Sequence, residues 1–372
     1  MSIDAWLVLA LASGVRGPVL RTLLDRFGDA KSIVAASPRD LRSAGLTERS
    51  VRDITHPDSH KLGLCEHWLS APNHHAVTWV DSLYPILLTE IGDPPPLLFV
   101  RGNPETLNLP QFAIVGSRNA TPGGRETARQ FAHHLSQGGF CITSGLALGI
   151  DAAAHRGALD AGNSTIAVFG TGLDEVYPHR HEALAHEIET SGALVAEFPP
   201  ESPVRPAQFP QRNRIISGMA VGTLVVEAGL RSGALITARL AGEQGREVFA
   251  IPGSIHNPMA KGCHRLIRSG AKLVETSSDI MEELPGILGS LVPAVEQNTA
   301  PAPDADRTEI DPEYQRLLTL MGWDPVTVDS LVKRSGLTAE EVSSMILILE
   351  LGGRIDSLTG GRYLQREEGR SK

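Results

Sequence analysis

Between residues 104 and 285, six short apolar runs alternate with helix-like segments, and this alternation limits the fold more than any other feature of the chain. The runs fall at 112–115, 140–143, 165–169, 193–196, 223–226 and 248–251. Apart from a terminal threonine in three of them they are apolar, with no polar residue at every second position, which marks strands buried on both faces. Strands of that kind separated by helices build an α/β domain around a doubly wound parallel sheet. Ligands of such sheets sit beyond the carboxyl ends of the strands.

Those ends carry the unusual residues. The first run exits into Gly116-Ser117-Arg118-Asn119, the second into Ser144-Gly145-Leu146-Ala147, and the third into Gly170-Thr171-Gly172. The fourth exits into Glu197-Phe198-Pro199-Pro200 and then Phe209-Pro210-Gln211-Arg212-Asn213-Arg214, and the fifth into Glu227-Ala228-Gly229. Small residues there let backbone amides approach a phosphate. Pro210 biases Phe209 away from helix, so the Arg-Asn-Arg triplet is expected where a loop enters a helix. Taken alone, that segment is either an anion site or a solvated helix start. If the strands are neighbours, Ser117, Arg118, Arg212, Asn213, Arg214 and Lys261 converge on one rim. Arginine binds phosphate bidentately and stacks on bases, and Asn213 can donate and accept at a base edge. That combination suits single-stranded nucleic acid.

The catalytic alternatives are weaker. Gly170-x-Gly172 resembles a dinucleotide fingerprint but lacks its third glycine and follows the wrong strand. The chain has neither GxxxxGK[ST] nor GxSxG, so neither an ATPase phosphate loop nor a hydrolase elbow is expected. Asp151 and His155 could form an acid–base pair, although Asp151 as a helix cap with His155 packed nearby is the better reading. His179, His181 and His186 lack a metal-ligand spacing. Glu227 could serve as a base or pair with Arg212, Arg214 or Arg231. Three scattered cysteines, Cys65, Cys141 and Cys263, fit a reducing cytoplasm. The formal net charge of −9 disfavours a protein that coats duplexes through global positive charge, but leaves room for a local basic pocket. No signal peptide or membrane span is read, and no cofactor or metal is expected.

The flanks divide the chain further. Residues 1–70 read as short helices with SAM-like or helix-hairpin-helix packing, and 71–103 as a connector with short strands. Residues 104–285 hold the sheet, 286–312 a flexible linker, and 313–372 a winged-helix-like domain. The helix expected at 338–347 in that last domain opens on two carboxylates and shows no outward Arg or Asn. It therefore reads as a module for partner binding or packing rather than a groove reader.

The ordered motifs Ala113-Ile114-Val115-Gly116-Ser117-Arg118, Ser144-Gly145-Leu146-Ala147-Leu148-Gly149-Ile150-Asp151, Gly170-Thr171-Gly172-Leu173-Asp174-Glu175-Val176-Tyr177-Pro178, Phe209-Pro210-Gln211-Arg212-Asn213-Arg214, Val225-Val226-Glu227-Ala228 and Ser232-Gly233-Ala234-Leu235 resemble those of the DNA-processing protein A (DprA/Smf) family. The resemblance runs from about residue 97 to 271. It implies an extended Rossmann-like domain that binds single-stranded DNA without obvious sequence preference, and with the absent catalytic motifs it points to a protein that is not an enzyme. It also implies a homodimer through that domain, and handover of incoming DNA to the recombinase RecA during natural transformation. The DNA pocket it implies is lined by Arg118 and the 212–214 triplet. The candidate interface is Gly116, Ser117, Arg118, Ser144, Gly145, Phe209, Arg212, Asn213, Arg214 and Lys261. His264 stands where relatives usually carry asparagine. A nucleotide-acting enzyme of the phosphoribohydrolase type is the alternative, although the chain lacks the spacing of the PGGxGTxxE motif.

Overall fold

The computed structural model describes residues 3–284 and 312–365, apart from 323, 352, 353, 359 and 360. The described residues belong to two compact units that divide after Ala294. The linker expected at 286–312 lies almost wholly outside them.

The first unit is built on a nine-stranded sheet. Its strands are β1 (His74–Thr78), β2 (Leu97–Gly102), β3 (Gln111–Val115), β4 (Cys141–Ser144), β5 (Thr165–Phe169), β6 (Ala193–Ala196), β7 (Ala220–Val225), β8 (Glu247–Ala250) and β9 (Lys272–Leu273). Their order is β1-β2-β6-β5-β4-β3-β7-β8-β9. From β6 to β9 every pairing is parallel. β3 to β6 are fully buried along their length, as runs apolar on both faces require. The chain proceeds outward from β3 through β4 and β5 to β6, then returns to lay β7 on the other side of β3. That reversal makes the β3/β7 boundary the topological switch point, where a crevice opens beyond the strand ends.

The sheet is more mixed than a purely parallel one. β1 pairs antiparallel with β2, and β2 antiparallel with β6. The segment read as a connector therefore supplies two strands of the sheet itself. Leu97, Leu98, Phe99 and Val100 are at most 1% exposed, so this run satisfies the same burial rule as the six that follow it.

One face of the sheet is covered by helices Pro122–Gln137 and Ile150–Asp160, which share a core with Phe112, Ile114 and Leu224. The other carries helices Gln208–Met219 and Ala234–Glu243, packed through Ile215, Ile216, Met219 and Ala238. Six short helices from Ile3–Leu11 to Ser59–Leu69 precede the sheet. Asp29, Ser37, Thr47 and Asp58 accept main-chain N–H groups at four of their N-termini, satisfying donors that a helix start leaves free. Trp6, Leu7, Leu20 and Trp68 join Leu97, Phe99 and Phe169 in one core. The helical head is thus continuous with the sheet domain.

The second unit has helices Pro312–Met321, Val328–Ser335 and Ala339–Leu351, and antiparallel strands Val326–Thr327, Arg362–Gln365 and Ile355–Leu358 in that spatial order. Its core holds Leu317, Leu331, Val342, Ile346 and Ile355. Glu341 accepts the Thr338 N–H and hydroxyl, each at 2.8 Å, while Thr338 Oγ1 accepts the Glu341 N–H at 3.3 Å. This reciprocal capping box gives one of the two carboxylates at that helix start a structural task.

Candidate nucleic-acid interface

The β3/β7 switch point begins with a turn that only glycine permits. A Cβ on Gly116 would lie 2.8 Å from Ile150 Cβ and 2.9 Å from the Glu227 carbonyl. The close approach lets the Ser117 N–H donate to the Glu227 carbonyl at 2.6 Å, joining the ends of β3 and β7. Ser117 is buried, and its Oγ accepts the Asn119 N–H at 3.1 Å. Its hydroxyl is a turn former rather than a free ligand. Arg118 follows, exposed and without an ion pair among the described residues. Its guanidinium lies 5.5 Å from the centre of the Phe209 ring, within cation–π range. On Phe209 in turn leans Tyr177, with ring centroids 5.7 Å apart and planes at 48°.

Phe209 belongs to helix Gln208–Met219, and the Arg-Asn-Arg triplet lies inside that helix rather than at its entry. Pro210 sits in the first turn, where a main-chain N–H has no intrahelical partner to lose. Residues two apart on a helix point roughly 200° from one another, and the two arginines do diverge.

Arg212 turns inward and is 4% exposed. Nη1 donates to the Gly145 carbonyl at 2.8 Å and to the Val168 carbonyl. Burial lowers its pKa to about 10, against the raising influence of nearby Asp151, so the guanidinium stays charged at neutral pH. Asp151 accepts the Gly145 and Ala147 N–H groups at 3.2 and 3.4 Å. Burial raises its pKa, opposed first by Arg212. Ser144 Oγ donates to the Ile114 carbonyl at 2.6 Å. Leu146, left-handed at φ 57° and fully buried, has its carbonyl 2.8 Å from His181 Nδ1. The loop from Ser144 to Asp151 is therefore gripped on all sides. Gly145 is required because a Cβ there would collide with the Arg212 guanidinium.

Arg214 points the other way. It forms a bidentate pair with buried Glu197, Nη2–Oε2 at 2.7 Å and Nη1–Oε1 at 3.1 Å, and approaches Asp93 at 3.3 Å. Arg16 from the helical head reaches the same Glu197 at 3.4 Å. Both arginines of the triplet are thus turned to protein partners, Arg212 to main-chain carbonyls and Arg214 to carboxylates, and the hydroxyls of Ser117 and Ser144 are likewise engaged. Asn213, between the arginines, is half-buried.

Lys261 is exposed at the start of helix Lys261–Arg268. The Ala228 N–H donates to the Met259 carbonyl and the Gly262 N–H to the Ala228 carbonyl, both at 2.7 Å. Those bonds fix Lys261 beside the strand end that also holds Ser117. His264 Nε2 lies 2.9 Å from the Gly253 carbonyl, bracing the turn after β8.

The groups considered for catalysis have structural partners. Both oxygens of Glu227 accept from Thr121, the N–H at 2.8 Å and the hydroxyl at 2.7 Å, so Glu227 holds the residue that caps helix Pro122–Gln137 instead of pairing with an arginine. His155 is paired with Thr165, not Asp151: Nδ1 lies 2.8 Å from Thr165 Oγ1, which itself donates to the Ile142 carbonyl at 2.6 Å. The hydroxyl has one proton, so His155 Nδ1 must carry the other, leaving Nε2 an acceptor. Burial pushes the His155 pKa down to about 3. His179 faces Glu175 and Glu182, His186 faces Glu189, and His181 meets Leu146. Among the described residues no cluster has the makings of a metal site. Tyr177, absent from the rim residues expected from the sequence, stands against Phe209. Aromatics make up only 5% of this chain, so one in a strand-end loop is a readable signal.

The available chemistry at the rim is an exposed guanidinium, a tilted aromatic pair and an exposed ammonium. Such a set can hold phosphate and stack unpaired bases. The family model described as DNA recombination-mediator protein A matches residues 75–285, and that described as DprA winged helix domain matches 298–361. Protein Smf of Escherichia coli (strain K12) is 44% identical over 324 residues, covering 86% of this chain and 85% of its own length. DNA processing protein DprA of Streptococcus pneumoniae (strain ATCC BAA-255 / R6) is 46% identical over 205 residues, covering 55% and 72%. The X-ray structure of DNA processing protein A from Streptococcus pneumoniae superposes with a TM-score of 0.67 at 36% identity, covering 75% of this chain and 97% of that one. A structure of DNA processing protein A from Helicobacter pylori, described in terms of its single-stranded DNA binding mode, gives a TM-score of 0.52 at 26% identity over 57% of this chain and 97% of that one.

Proposed function

Because the chain belongs to the family described as DNA recombination-mediator protein A, we propose that it binds single-stranded DNA at the switch-point rim and mediates recombination of incoming DNA during natural transformation. The observation that carries this reading is Arg118, exposed and unpaired at the β3/β7 boundary, with its guanidinium over Phe209. Arg118 and Lys261 take phosphates, Phe209 stacks a base, and Gly116 and Asn213 give the strand close access to the rim, over a loop fixed through Gly145. Ser117, Ser144, Arg212 and Arg214 hold these groups in place. A formal net charge of −9 confines attraction for the strand to this patch, so tight binding to duplex is not expected.

Delivery of the bound strand to RecA, and a homodimer through the sheet domain, complete the proposal on the strength of the family. A cytoplasmic location fits both; among the described residues no helix is long and apolar enough to cross a membrane. The test is RecA's DNA-dependent ATP hydrolysis on oligonucleotides already coated with a single-strand-binding protein. The full chain should restore hydrolysis, and an Arg118→Ala variant should not. Equal rates with and without the chain would refute the loading role. The phosphoribohydrolase reading loses support from Glu227, whose carboxylate is occupied by Thr121.

A further inference from the structure

We propose that Tyr177 is a second base-stacking position, taking the nucleobase next to the one on Phe209. The inference rests on the single-strand reading above and adds a residue to it. Tyr177 is 41% exposed, the only aromatic among the exposed large apolar side chains of the described residues. Leaving that ring in water forgoes the stabilisation that burial would give. Its hydroxyl has no hydrogen-bond partner among the described residues, so the ring's contact with Phe209 and not the hydroxyl places the side chain.

The backbone around it is nonetheless fixed. Asp174 Oδ1 accepts the Glu201 N–H at 2.7 Å on one side, and His181 Nδ1 meets the Leu146 carbonyl at 2.8 Å on the other. An exposed ring on a braced segment is preorganised for a ligand. The ligand it fits is set by its neighbours. Phe209 lies 5.7 Å away and Arg118 caps Phe209 from 5.5 Å. The 48° between the rings offers two faces that diverge, which suits bases splayed out of a duplex stack. Every base has a π-face, so such a platform is tolerant of sequence. Arg118 supplies the charge for the phosphate joining the two nucleotides.

The experiment uses the full chain and a fluorescein-labelled oligothymidylate in anisotropy titrations at several salt concentrations. Tyr177→Ala should lower affinity about tenfold with an unchanged salt slope, because stacking releases no counterions. Tyr177→Phe should keep the original affinity, since the ring and not the hydroxyl makes the contact. Irradiation of a 5-iodouracil-substituted oligonucleotide should give a crosslink that maps to Tyr177. The assignment is overturned if Tyr177→Ala binds like the parent, if Tyr177→Phe loses as much as Tyr177→Ala, or if the crosslink is absent at Tyr177 while Arg118→Ala and Phe209→Ala still bind weakly. In those cases the single-strand reading stands without Tyr177. If none of the three alanine variants binds more weakly, that reading itself fails.

Discussion

Arg212 donates from Nη1 to the main-chain carbonyl of Gly145 at 2.8 Å, and this bond turns the arginine into the protein beneath the rim. The same guanidinium reaches the Val168 carbonyl, so one side chain ties together the ends of β4 and β5. Removing it strands two buried carbonyls and leaves Asp151 without its nearest cation. Arg212→Ala is predicted to lose about 3 kcal/mol of stability, in the range for a broken buried charge network. Urea denaturation of parent and variant measures it. Arg212→Lys should recover only part of the loss, because an ammonium lacks the planar fork that meets the two carbonyls.

Arg214 is predicted to behave as a stability residue with no phosphate contact. Breaking its pair with Glu197, which is 8% exposed, should cost about 3 kcal/mol or more. Either Arg214→Ala or Glu197→Gln should show this in denaturant titrations. In the fraction that remains folded, the salt dependence of oligonucleotide binding should match that of the parent. A flattened slope for Arg214→Ala would place a phosphate on it.

Acid sensitivity should trace in part to His155. Its folded pKa is depressed to about 3 from an ordinary 6.5, so between those values the unfolded chain binds the proton that the folded chain refuses. The associated stability is fully present above about pH 6.5 and falls by about 1.4 kcal/mol per pH unit below it. Asp151 acts in the opposite sense, since burial raises its pKa. The comparison that isolates the histidine is parent against His155→Gln, each unfolded by urea from pH 7 to pH 4. The variant should show the shallower decline.

Much of this architecture is legible from burial alone. Runs apolar on both faces announce the strands, and the residues that follow them announce the rim. What escapes is direction. Arg212 and Arg214 look equivalent in the sequence, yet helix geometry sends them to opposite sides, and each meets a buried acceptor from a distant segment: Gly145 for one, Glu197 for the other. Their burial depends on contacts across 67 and 17 residues of chain, which no local pattern encodes. The same holds for Glu227, whose partner Thr121 is 106 residues away. The antiparallel edge escapes for another reason. The triple proline at 94–96 breaks the strand–helix alternation, and the short strands beside it then read as parts of a connector and not of the sheet.

Glu227 is predicted to matter only as the support of Thr121, the cap of helix Pro122–Gln137. Glu227→Ala leaves the Thr121 N–H and hydroxyl without acceptors and should cost about 1–2 kcal/mol. Incubating the parent with nucleoside monophosphates should release no free base. Release that disappears in Glu227→Gln would revive the enzymatic alternative.

The central claim is that Arg118 and Phe209 form the contact with a single strand. The direct measurement is the affinity of a labelled oligothymidylate for the parent, Arg118→Ala and the Arg118→Ala/Phe209→Ala double variant across a series of salt concentrations. Arg118→Ala should bind more weakly and flatten the logarithmic salt slope by about 0.7, the share of one single-strand phosphate contact. The double variant should lose a further tenfold or so, with no further change in slope. A folded double variant with the parent's affinity and slope would contradict the account.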